Sequence, residues 1–428
     1  MNIIFISPNY PAGHRRYVSA LTEAGHTVLG VGDAGDETFA PELRGALKGY
    51  YRVGDLHDYE SVYRACRYFE WQFGRIECIE SLNPYWRDLV AALSEEICTA
   101  GADIDACYTR IIKQSLDAGA LTPRVFGSAP KKIITFAAAQ GYPMLAVPAG
   151  NKRLGKRMVV SDAGVRSLLR GSTKGEYVFA ACPEGESLLV DGLVLGGEIA
   201  ACGAHIRAED GQSVCSVKAE GLESRCREAA KQCGLTDGFF HIDAVRLASS
   251  CALGKKGEIC FVDFEAVPPH EYIIDLLDME FGCDLRLSWA KGEAVLTGCE
   301  PCESWSQRED GSAEKLPEEE TVQEQTVLPL ERRAHAAAAM RSFERSYRYL
   351  HEKVLHRLGT ALVSHSRTEE PDRYDWSDYI YLFTAGTPAE LKRNIRYITE
   401  DHPLPKESPV SEEKTTDETA PKKKSGKK

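Results

Sequence analysis

No uninterrupted apolar run in this 428-residue sequence approaches the roughly 18 residues a membrane-spanning helix requires, so no span is expected. A surplus of positive charge is missing too: 64 Asp and Glu stand against 52 Lys and Arg, a formal net charge of −12. Nucleic acid and anionic membranes are both met by a basic footprint, so neither is expected as a partner. No GxGxxG follows the first strand-like run, which disfavours a dinucleotide-dependent oxidoreductase. Cys299-Glu-Pro-Cys302 has no second cysteine pair at metal-ligand spacing and lies in a polar connector, so neither a zinc site nor a redox motif is expected there. The opening "MNIIFISPNYP" lacks a basic n-region and a small-residue cleavage site, and reads as structure rather than a signal peptide. No internal repeat is visible.

What remains is the composition of an ordinary soluble protein, 43% apolar and 27% charged, long enough for two or three domains. The 14 cysteines follow no repeating spacing. Most sit in apolar segments, which suits reduced, buried thiols in a cytoplasm better than a disulfide framework.

The spacing predicts an α/β protein with an α+β middle. "NIIFISP", the helical "RRYVSALTEAG" and "HTVLGVGD" make one β-α-β unit, and residues 1–100 read as a small doubly wound domain. Ligands of such domains bind at the carboxyl ends of the strands, here "SPNYPAGHRR", "VGDAGD" and "ESLNPYW". Residues 101–295 mix helices with glycine-bounded strands, among them "YVFAACPEGESLLVDGLVLGGEIAACGAH". An acidic linker is expected over 296–330. A long helix, "ERRAHAAAAMRSFERSYRYLHEKVLHRLG", is expected to open a C-terminal α/β piece over 331–400. A disordered tail follows over 401–428.

"GEICFVDFEAVPPHEY" carries the chemistry. Asp263 and Glu265 stand at i and i+2 on a strand and so share one face. Upstream, "GFFHIDAVRL" carries Asp243 on another strand, and a hairpin between the two would gather three carboxylates. Buried carboxylates need a partner or a metal. An oxygen-only cluster suits Mg²⁺ held together with nucleotide phosphates. Pairing with Arg246, or with Lys and Arg from elsewhere, is the alternative. His241 and His270 flank these strands as candidate ligands or bases.

In its order of segments the chain resembles the ATP-grasp superfamily, in particular bacterial carboxylate-amine ligase-like members akin to carbamoyl-phosphate synthase large chains. The resemblance is carried by "FISPNYPAGHRRYVSALTEAGHTVLGVGDA", "IESLNPYW", "GYPMLAVPAG", "PEGESLLVDGLV", "FFHIDAVRL" and "FVDFEAVPP". It covers most of residues 1–290, and "DYIYLFTAGTPAEL" looks like the family's C-terminal piece. It implies a pre-ATP-grasp domain followed by an ATP-grasp domain, with ATP and Mg²⁺ as cofactors. It also implies a ligase that joins a small carboxylate to an amine or thiol through an acyl-phosphate. Oligomeric state is left open, a homo-oligomer included.

By the same resemblance, Asp243, Asp263 and Glu265 would hold the metal. Arg110, Lys113, Asn151, Lys152, Arg153, Lys156, Glu184 and Glu186 would meet the nucleotide. Several positions depart from the family's pattern. Val147 stands where the family has a phosphate-binding lysine, and Ala180 and Ala181 replace acidic or amide side chains near the base. Val267 replaces an arginine at the end of the metal-binding strand. The loop "GNKRLGKR", which also holds Arg157, could restore the lost positive charge. A catalytically degenerate relative that binds a nucleotide or metabolite, or scaffolds a partner, is the competing expectation.

Overall fold

The computed structural model describes residues 1–98, 114–149, 155–170, 177–293, 330–367 and 378–402. Arg110, Lys113, Asn151, Lys152, Arg153, Cys299 and Cys302 lie outside the described residues, as do most of the acidic linker and of the tail.

The first unit follows from its apolar pattern. Strands β1 (Asn2–Ile6), β2 (Thr27–Gly32), β3 (Gly49–Arg52) and β4 (Cys78–Glu80) form a parallel sheet in the order β3-β2-β1-β4. Both faces of β1 are covered. Ile4 and Ile6 pack towards the helices Tyr59–Phe73 and Arg87–Ile97, while Ile3 and Phe5 pack towards His14–Glu23. Continuous apolar strands of this kind belong to sheets buried on both sides.

Next comes a four-stranded antiparallel sheet of β5 (Arg124–Gly127), β6 (Met144–Pro148), β7 (Arg157–Val159) and β8 (Tyr177–Ala181), ordered β5-β8-β6-β7. Met144 and Ala146 of β6 face the helices Pro130–Gln140 and Asp162–Arg170. Leu145 and Val147, one pleat over, face the other way and pack with Val178, Ala180 and Cys182 against Val245 and Val262 of the large sheet.

That large sheet has eight strands, ordered β13-β12-β9-β10-β11-β14-β16-β15. They are β9 (Gly185–Leu195), β10 (Glu198–Arg207), β11 (Ser213–Val217), β12 (Gly238–Leu247), β13 (Ile259–Glu265), β14 (His335–Arg341), β15 (Leu362–Arg367) and β16 (Tyr379–Ala385). Gly192 lies in the middle of β9, close against both neighbouring strands. A Cβ there would sit 2.4 Å from the Ala201 carbonyl oxygen and 2.6 Å from the Phe240 ring. Backbone cannot yield at the middle of a sheet, so Gly192→Ala is expected to cost about 2 kcal/mol, read from the midpoint of urea unfolding.

The long helix expected over 331–359 is not formed. Residues His335–Arg341 are a strand between β11 and β16, and the helix is confined to His351–Leu358. Alanine favours helices, but here two flanking strands bond the backbone on both sides. Ala336 and Ala338 fill one tightly covered face and Ala337 and Ala339 the other. The eleven described cysteines are free thiols, seven of them buried. Among the described residues, no helix is long and apolar enough to cross a membrane.

Candidate functional site

The hairpin expected from the two acidic segments exists. In the β12–β13 register Asp243 faces Asp263, and His241 faces Glu265, with a bulge between Asp243 and Ala244. On the other side of β12, β9 places Asp191 directly opposite His241. Two rows of charge therefore cross the sheet edge, Asp191–His241–Glu265 and Asp243–Asp263.

A cation already sits where the acids converge. The Lys156 ammonium lies 2.6 Å from Asp243 Oδ2, 2.9 Å from Asp263 Oδ2 and 3.1 Å from Glu265 Oε2. Its place follows from the register of the small sheet. β7 pairs with β6 through Arg157 and Ala146, and one step further along that register sets Lys156 opposite Val147.

Arg124 is the second cation. Its segment runs beside β13, where Thr122 N–H donates to the Phe261 carbonyl at 2.8 Å. That sets Arg124 Nη1 3.8 Å from Asp263 Oδ1 and lets Nη2 donate to the Val262 carbonyl. The side chain is 2% exposed, so burial pulls its pKa down while Asp263 holds it up.

The third cation is His241. Its Nδ1 bonds Asp191 Oδ1 at 2.7 Å, and its Nε2 is 3.5 Å from Asp243 Oδ1. Burial opposes an imidazolium, but Asp191 and Asp243 outweigh it, and the pKa is pushed up to about 10.

The acids respond in opposite directions. Burial works against ionised Asp243, yet His241 and Lys156 hold its pKa well below the usual carboxylate range. Asp263 is more deeply buried, and desolvation, helped by the neighbouring Glu265, raises its pKa against the pull of Lys156. For Lys156, burial is likewise outweighed by the three carboxylates, which raise its pKa.

Lys156, expected from the sequence among the phosphate contacts, lies among the acids instead. Arg246, weighed as a partner for those acids, instead pairs with Glu186 at 2.8 Å. Glu184 lies exposed in the turn between β8 and β9. His270 precedes the helix Glu271–Phe281, its ring 4.4 Å from that of Tyr272. Asp191 and Arg124 were missed. A lone acid in the apolar run "SLLVDGLVL" was a readable signal for Asp191. Arg124 gave none, because 138 residues separate it from the Val262 carbonyl it bonds.

Donor type and convergence both suit a hard divalent ion, since three carboxylates from two strands point at one spot. Their distances to that spot are those of ammonium hydrogen bonds, longer than the roughly 2.0–2.1 Å of Mg²⁺–oxygen contacts. With Lys156 in place, the described residues contain no group of three or more His, Cys, Asp or Glu side chains set to hold a metal.

No family model and no curated protein matches the sequence. Solved structures do match. L-amino acid ligase from Bacillus licheniformis aligns at 12% identity over 93% of this chain and 96% of that one, with a TM-score of 0.59. N5-carboxyaminoimidazole synthetase from Staphylococcus aureus, complexed with ADP, aligns at 10% over 92% and 95%, TM-score 0.59. Carboxyaminoimidazole ribonucleotide synthase from Aspergillus clavatus, complexed with ATP, aligns at 13% over 92% and 97%, TM-score 0.56. The fold is that of the ATP-grasp enzymes.

Proposed function

We propose that this chain is an ATP-dependent ligase that activates a small carboxylate as an acyl-phosphate and passes the acyl group to an amine or a thiol. One observation carries the reading: carboxylates of Asp243, Asp263 and Glu265 converge on one point at the edge of an ATP-grasp sheet. Similarity to the L-amino acid ligase and to structures complexed with ADP and ATP supports it.

In this reading a carboxylate oxygen of the substrate attacks the γ-phosphorus, the bond to the β-phosphate oxygen breaks, and ADP leaves. The acceptor then attacks the acyl carbon, inorganic phosphate departs, and the acceptor's proton passes to solvent. Asp243, Asp263 and Glu265 would hold Mg²⁺, which neutralises the triphosphate and orients it for transfer. Arg124 positions Asp263, and Asp191 fixes His241 with Nε2 towards Asp243. Leu145, Val147, Val178 and Ala180 pack against Val245 and Val262 of the large sheet, which fixes the small sheet beside the strands that carry the acids. By the family resemblance, Arg110, Lys113, Asn151, Lys152 and Arg153, all outside the described residues, would meet the phosphates, and Glu184 and Glu186 the nucleotide.

Lys156 at the acids and Val147 in an apolar cluster favour a second reading, nucleotide binding without turnover. Calorimetry with millimolar Mg-ATP, followed by ADP release across a panel of acids and amines, separates the two. Binding with acid-dependent ADP release is expected. Binding without release would select the second reading, and no binding would sink both.

A further inference from the structure

Three cations face the four carboxyl groups of Asp191, Asp243, Asp263 and Glu265, and they are not equally held. The Arg124 side chain is 2% exposed and also donates to Thr122 O and Ser115 Oγ. His241 is clamped by Asp191, itself fully buried. Lys156 is the freest, with 27% of its side chain exposed. It immediately precedes β7, a three-residue strand at the edge of its sheet.

We infer that Lys156 is a tethered counter-ion, occupying the convergence point of Asp243, Asp263 and Glu265 until a divalent ion displaces it. The inference rests on the reading that Mg-nucleotide binds here. One ammonium stands within ion-pair distance of all three carboxylates and donates a hydrogen bond to Asp243, and two cations cannot share that point because their repulsion is weakly screened in a partly buried site. Exchange is favoured by charge. Replacing one positive charge by two balances the four carboxyl groups with Arg124 and His241 still in place. It also frees an ammonium, on the strand beside Val147, to meet a phosphate arriving with the ion. The free protein therefore compensates three of its four acidic charges and resists a bare metal, while the metal–nucleotide pair offers both halves of the exchange at once.

The test uses Mn²⁺ without nucleotide, its binding followed by electron paramagnetic resonance on the full chain. Lys156→Met is expected to bind Mn²⁺ at least tenfold more tightly than the wild type, and Lys156→Arg to bind as weakly as the wild type. In chelator, Lys156→Met is expected to melt several degrees lower, and to recover on adding Mn²⁺. Equal Mn²⁺ affinity in wild type and Lys156→Met, or no binding to the variant, would overturn the inference. If Lys156→Met fails to fold, acetylation of Lys156 in the wild type, quantified by mass spectrometry, decides. Saturating Mn²⁺ is expected to raise its rate several-fold; an unchanged rate, or no Mn²⁺ binding, would overturn the inference. A chain that binds Mg-ATP while its Mn²⁺ affinity ignores Lys156 keeps the ligase reading and loses this one. Loss of Mg-ATP binding alone refutes the ligase reading.

Discussion

Asp243→Ala is expected to lower ATP-dependent ADP release by about three orders of magnitude, equivalent to about 4 kcal/mol of transition-state stabilisation. The size follows from what that carboxylate touches. It accepts a hydrogen bond from the Lys156 ammonium and lies 3.5 Å from His241 Nε2, and it is one of three carboxylates that converge on that ammonium. On the reading proposed above, removing it subtracts a metal ligand; it also leaves Lys156 and His241 with one acid fewer between them. Charge placed around a transferring phosphoryl group is the main thing the protein contributes to such a reaction, so the loss falls on kcat more than on KM. Steady-state ADP release with saturating acid and amine checks it, with circular dichroism showing that Asp243→Ala is folded at the assay temperature. Activity of Asp243→Ala within tenfold of the wild type would remove Asp243 from the site.

Asp191→Asn is expected to cost about 3 kcal/mol at pH 6, the order of magnitude for breaking a buried ion pair, and to flatten the alkaline side of the stability profile. Asp191 is fully buried and bonds His241. The folded-state pKa of His241, about 10, stands above the roughly 6.5 of an unfolded histidine. A raised value means that the folded state binds the proton more tightly. The pair's contribution is therefore complete below pH 6.5, and declines as pH rises towards 10. Without Asp191 the imidazole loses its strongest partner, and that decline disappears. Urea unfolding at pH 6 and pH 9.5 should show a wide gap between wild type and variant at the lower pH and a narrow one at the higher. Parallel profiles would show that His241 does not carry its charge in the folded protein.

Parts of the site were legible because their signals are local. Asp263 and Glu265 share a face by the two-residue period of a strand, and the glycine-containing connector between Leu247 and Ile259 signalled the hairpin that sets Asp243 against Asp263. The N-terminal β-α-β unit was legible for a similar reason, since a buried parallel strand reads as an unbroken apolar run. What failed was local preference set against a long-range demand. The alanines of 336–339 read as helix, yet they are a strand because β11 and β16 need a neighbour with side chains small enough to be covered on both faces. Lys156 read as an exposed phosphate ligand within a basic loop. Nothing in the spacing of "GNKRLGKR" says that one of its charges turns inward.

By itself, then, the chain's order of residues determined the doubly wound start, the apolar faces of the sheets and the fact that three acids would be carried on paired strands. Each is a consequence of backbone periodicity and burial acting over a few residues. Only the tertiary structure decided which cation those acids meet. Lys156, just ahead of β7, and Arg124 and Asp191, on β5 and β9, are separated from Asp263 by tens of residues or more, and their charges act through space at contact distance. That proximity is a property of the packed sheets, and no reading along the chain contains it.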